Sequence, residues 1–159
     1  MDALQVGRFQ KALEAKLGEL GIETAHVDGS GGMQLGDTLR ALLTVNDGGS
    51  VALLEVVVTQ YADRYDLLHF YTTMLAEMGP GYEALKEVLL DWNLSMPLGA
   101  FGIYRQARQL YHSYSYPFPA GADPEALAET AMDLVGMIYD TVTGRYEDAA
   151  RLAGNIMAL

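Results

Sequence analysis

The sequence predicts an α+β domain in the order helix, three strands, helix, two strands, helix, and three observations carry that prediction. Val6, Phe9, Leu13, Leu17 and Leu20 recur at the three-four spacing of an amphipathic helix. Two apolar runs between Leu39 and Thr59 flank Asn46-Asp-Gly-Gly49, whose residues tolerate the positive φ angles of a tight hairpin turn. Asp123-Pro124-Glu125 then opens a long amphipathic run with an N-cap acid, a proline at the first helical position and an acid in the first turn.

Composition narrows the function. The chain has 159 residues, enough for one domain with a core, and 50% of them are hydrophobic, which excludes compositional disorder. A formal net charge of −11 opposes binding to nucleic acid and to anionic membrane surfaces, while leaving basic partners open. There is no cysteine, so disulfides, thiolate metal sites and a cysteine nucleophile are excluded. The opening Met1-Asp2-Ala3-Leu4-Gln5 lacks the basic and apolar regions of a signal peptide, and no run approaches the ~20 apolar residues of a membrane span. A soluble, cytoplasmic protein is expected.

The elements follow in order. The first helix is stopped by Gly21. Gly29-Ser-Gly-Gly32 is a turn without the lysine and hydroxyl sequel of a phosphate cradle. The first strand, Leu39 to Val45, puts Leu39, Ala41, Leu43 and Val45 on one face. The second, Val51 to Thr59, has Ala52, Leu54, Val56 and Val58 on one face and Val51, Leu53 and Val57 beside Glu55 on the other. A strand apolar on both faces is either covered twice or exposes a surface for a partner. Tyr65 to Ala76 fits two templates. Leu67, Leu68, Tyr71, Met74, Leu75 and Met78 match a helix, whereas Phe70, Tyr71, Thr72 and Thr73 favour a strand.

Tyr82, Leu85, Val88, Leu89 and Trp92 make the apolar face of the central helix, with Asn93 expected to close it and Pro97 to forbid its continuation. Leu98 to Tyr104 and Leu110 to Tyr116 have strand composition, and Pro117-Phe-Pro-Ala-Gly121 is expected to end their pairing. In the last helix Leu127, Ala131, Leu134, Val135, Ile138 and Val142 share a face that Tyr146 and Ala150 can extend past Gly144. Residues beyond Gly154 are expected to fray.

Leu90-Asp-Trp-Asn93-Leu, followed by Gly99-Ala-Phe-Gly-Ile-Tyr104 and Ser115-Tyr-Pro-Phe-Pro119, resembles the YbjN family and the class I type III secretion chaperones. In both, the helix closes on a Leu-x-x-Asn motif before a glycine-containing strand. The resemblance runs from about Leu4 to about Leu152 and contains no active site. It implies an antiparallel sheet, a strand over Tyr65 to Ala76, a homodimer and, for the chaperones, an unfolded secretion segment held on apolar surface. The chain departs at Arg105-Gln-Ala-Arg108, which lacks the usual glycine, aspartate or asparagine of a hairpin turn.

Candidate chemistry is sparse. His26, His69 and His112 are scattered and show no metal-ligand spacing. Ser113, His112 and Asp91 do not make a triad, because neighbours on a strand point to opposite faces. Glu83, Glu87 and Asp91 lie a turn apart on the polar face of the central helix, where a solvated acidic face outweighs a cation or glycosidase site. Arg105 and Arg108 form the one local basic patch, and Tyr104, Tyr111, Tyr114 and Tyr116 form an aromatic belt on the last hairpin.

The sequence therefore favours a non-enzymatic protein-binding domain without a cofactor. The alternatives are an enzyme using the acidic helix face and His112, and a structural or stress-regulatory subunit with no peptide ligand. Val51, Leu53, Val57, Leu67 and Tyr71 are the expected partner-binding strip, for an apolar segment with a basic or amphipathic character. Tyr82, Leu89, Phe101, Ile103 and Tyr104 are the expected homodimer interface, and Trp92 is expected to be buried between helix and sheet.

Overall fold

The computed structural model describes residues 1–28 and 36–155, so the Gly29-Ser-Gly-Gly32 turn lies outside the described residues. Three helices and six strands follow one another as α1 (Ala3–Glu19), β1 (Thr24–Val27), β2 (Thr38–Thr44), β3 (Val51–Ala62), β4 (Tyr65–Leu75), α2 (Tyr82–Ser95), β5 (Ala100–Tyr104), β6 (Gln109–Pro119) and α3 (Pro124–Leu152). The strands form a single antiparallel sheet in the order β1-β2-β3-β4-β6-β5. The fold is α+β with the expected alternation of helices and strands, and Tyr65–Leu75 is a strand. The short edge strand β1 is an addition to the expected order.

Each element has a local cause. The Asp2 carboxylate caps α1 at the Gln5 amide, and the Gln5 side chain returns a bond to the Asp2 amide, satisfying two orphan donors. The Asn46 side chain accepts from the Ser50 amide at 2.9 Å and closes the β2–β3 hairpin. Asp123 caps α3 through the Ala126 amide at 2.9 Å, with Pro124 at the start of the helix. The unusual turn between β5 and β6 works because Arg108 takes a left-handed φ of 50°, while its side chain pairs with Glu77.

All three helices lie on one face of the sheet. Leu39, Leu54, Leu68 and Leu110 on that face are completely buried, as are Phe9, Leu13 and Leu17 of α1. α1 runs along α3, joined by the apolar seam and by the Arg8–Glu125 and Lys16–Glu129 ion pairs at its exposed margin. An amphipathic helix has one apolar stripe, and that of α1 is used against the other helices and the inner sheet face.

α2 lays Leu85, Leu89 and Trp92 against the β5 end of the sheet. Trp92 is 8% exposed, meets Phe101 edge-to-face with centroids 5.6 Å apart, and carries the Arg145 guanidinium over its other side at 5.1 Å. Asn93 does not close the helix, which runs to Ser95. Its side-chain amide donates to the Phe101 carbonyl at 3.0 Å and accepts from the Phe101 amide at 2.8 Å. It thereby occupies the free edge of β5 as a strand would.

One further expectation changes. Pairing does not stop at Pro117: Leu67 faces Pro117 and Tyr65 faces Pro119. β5 reaches only to Ser113, so the other side of β6 is a free edge there, where a proline removes no ladder bond. Of the stretch expected to fray beyond Gly154, residues 156–159 lie outside the described residues. Asn155 accepts from the Gly79 amide at 2.8 Å and donates to the Glu77 carbonyl at 2.8 Å, fastening the end of α3 to the loop before α2.

Candidate functional site

Among the described residues no helix lies on the outer face of the sheet, and its side chains fall into rows set by strand register. One row contains Leu42, Leu53, Thr73, Tyr111 and Gly102; the next contains Arg40, Glu55, Tyr71, Ser113 and Ala100. A third contains Val57, His69 and Ser115, and a fourth Thr59, Leu67 and Pro117. Val51, Leu53, Val57, Leu67 and Tyr71, the expected partner strip, thus lie on one uncovered face. Val51 is 50% and Leu42 44% exposed, while Leu53, Val57, Leu67 and Tyr71 are half-buried. Strand spacing and rise make this surface about 20 Å wide and about 27 Å long, roughly 500 Å² in footprint.

The polar side chains on this face are largely occupied with one another. Arg40 and Glu55 form a cross-strand ion pair at 2.7 Å. One nitrogen of the His69 ring meets the Thr59 hydroxyl at 2.7 Å and the other the Ser115 hydroxyl at 2.7 Å, spanning three strands. Gln109 donates to the Thr73 hydroxyl at 3.0 Å. Groups already bonded within the face leave few orphan donors or acceptors when a partner excludes water, so the cost of covering it is small. Burial holds the His69 ring below its ordinary pKa.

The tyrosines divide between the two faces. Tyr71 and Tyr111 stack on the outer face with centroids 4.6 Å apart. Desolvation, reinforced by Tyr111 and Glu55, pushes the Tyr71 hydroxyl up to about 12. The Tyr111 ring lies over Gly102, where an added Cβ would stand 2.5 Å from the ring, so Gly102 is the residue that admits it. Tyr114 and Tyr116 pack instead against the core on the helix side.

The expected dimer residues do not form one surface. Leu89 and Phe101 are 6% and 5% exposed within a single chain, and Ile103 and Tyr82 pack against the same core. Tyr104 is exposed on the opposite face, at 37%. Leu89 and Phe101 are buried because α2 turns its apolar face onto the sheet at β5, so this surface is used up within the chain.

His112 is fully buried on the helix side, bonded at 3.0 Å to the Leu98 carbonyl and meeting Phe101 edge-to-face. An added Cβ on Gly99, whose φ is 70°, would stand 2.6 Å from that imidazole nitrogen. Desolvation lowers the His112 pKa against the smaller opposing effect of the Leu98 bond. Glu83, Glu87 and Asp91 are exposed on α2, with Glu83 paired to Lys86, so these acids and His112 are on different sides of the α2–β5 contact. Ser113 points to the outer face, away from His112. Among the described residues no three His, Asp or Glu side chains are gathered as metal ligands, and no helix is long and apolar enough to cross a membrane. No protein-family model matches the chain, and no curated protein does.

Proposed function

We propose that the chain is a non-enzymatic binding domain that holds an apolar segment of another polypeptide on the outer face of its sheet. The observation that carries this reading is the one-sided placement of the helices, which leaves Leu42, Val51, Leu53, Val57 and Leu67 uncovered beside polar groups already paired with one another. Such a surface gains from burying apolar area at about 25 cal/mol per Å² and loses little through polar desolvation. The net charge of −11 favours a segment with basic flanks and opposes stacking a second acidic copy on the same face.

A labelled peptide of alternating leucine and lysine is the direct probe. It should bind saturably, and Leu53→Asp or Val57→Asp should weaken it about tenfold or more while leaving circular dichroism and thermal unfolding nearly unchanged. If either variant unfolds, the face is part of the core. If the chain sediments as a dimer that Leu53→Asp dissociates, a second copy is the occupant and the peptide reading fails.

A further inference from the structure

A second apolar surface lies on the helix side, at the opposite end of β2 from Thr38. A cleft of about 220 Å³ is lined by Leu20, Ile22, Leu43, Met132, Val135, Gly136 and Tyr139. Leu20 is 68% and Tyr139 39% exposed, among the large apolar side chains most open to solvent. The walls are fixed. The Tyr139 hydroxyl donates to the Thr44 carbonyl at 2.9 Å, and the turn after α1 is closed by the Ile22 amide on the Leu17 carbonyl at 3.0 Å. The floor is open because Gly136 has no side chain, and a Cβ placed there meets nothing within 4 Å.

Charge surrounds this cleft asymmetrically. On α3 the lining residues 132, 135, 136 and 139 form one stripe, and Glu129, Asp133 and Asp140 border it within a turn. Glu19 adjoins Leu20 on the other wall. The cation on the α1 side, Lys16, is already paired with Glu129. An apolar notch ringed by acids selects a partner that offers one large apolar side chain between basic ones.

We propose that this notch is an anchoring site for a cationic amphipathic helix, which inserts a single leucine, methionine or phenylalanine between α1, β2 and α3. It is independent of the outer-face reading, since no residue is shared between the two surfaces. The test uses the intact chain and a helix-forming peptide with leucines at three-four spacing among lysines. Gly136→Leu fills the notch from within and removes a helical glycine, so the variant should fold at least as well as the parent. Affinity should fall about tenfold or more in Gly136→Leu, and in Asp133→Lys/Asp140→Lys, yet be unchanged in Leu53→Asp. Equal binding by a folded Gly136→Leu variant would overturn the proposal. So would equal binding by a peptide whose leucines are replaced by alanine, which would show charge attraction alone, or a loss in Leu53→Asp matching that in Gly136→Leu.

Discussion

On the inner face of the sheet, Leu54, Val56, Leu68 and Phe70 are at most 1% exposed, and three helices press against them. On the outer face, their immediate neighbours Leu53, Val57, Leu67 and Tyr71 are half-buried with no helix above them. The two sets alternate along the same strands and are nearly equal in hydrophobic character. Composition therefore does not decide which face becomes core. Cover decides it, and cover is set by the one apolar stripe on each helix and the short connections that bring all three stripes to one side. The inner face is packed beneath the helices, and on the outer face polar side chains are tied across strands.

Leu54→Asp places a charge among fully buried side chains and should cost about 4 kcal/mol or more, enough to abolish cooperative unfolding near room temperature. Trp92→Ala comes next, at about 3–5 kcal/mol by urea denaturation, because it empties the junction of α2, β5 and α3 and strands Arg145. A loss below about 1 kcal/mol would remove Trp92 from the core account. Asn93→Ala should cost about 1–3 kcal/mol, since it leaves the Phe101 amide and carbonyl without their partner, and should raise edge-to-edge association detectable by light scattering.

Acid should weaken the fold through the two depressed histidines. The ordinary imidazole value is 6.5, and both His69 and His112 are lowered from it by burial. The unfolded chain therefore takes up the protons more readily. Stability from these groups is complete above pH 6.5 and is lost as pH falls from there toward their folded values. His112→Leu should flatten that part of the pH–stability curve, and an unchanged slope in both His112→Leu and His69→Gln would contradict it. The smallest effect is expected at Leu53→Asp, within about 1 kcal/mol, because its side chain faces outward.

Much of this contrast was legible in the residues. The double apolarity of Val51 to Val58 announced a strand with two usable faces, and Asn46-Asp-Gly-Gly49 located its hairpin. Trp92 was placed correctly because its helical face repeats every third or fourth residue. Other features depend on contacts distant in sequence. β1 is four half-exposed or exposed residues whose pairing with β2 defines it, so no alternation marks it. Asn93 looked like a helix end because its partner, Phe101, lies across a turn. The positive φ of Arg108 is held by the turn itself and by Glu77, in a place where composition favours glycine or asparagine. The side of the sheet chosen by α1 is a tertiary decision, and the seam with α3 that fixes it joins opposite ends of the chain.

Side-chain methyl resonances distinguish the two faces of the sheet, since inner and outer residues alternate on the same strands. On titration with the alternating leucine–lysine peptide, the methyls of Val51, Leu53, Val57 and Leu67 should shift and saturate together. Those of Leu54, Val56 and Leu68, fully or almost fully buried beneath the helices, should stay in place. Shifts confined to the inner set, or no shift in the outer set at saturating peptide, would contradict the account.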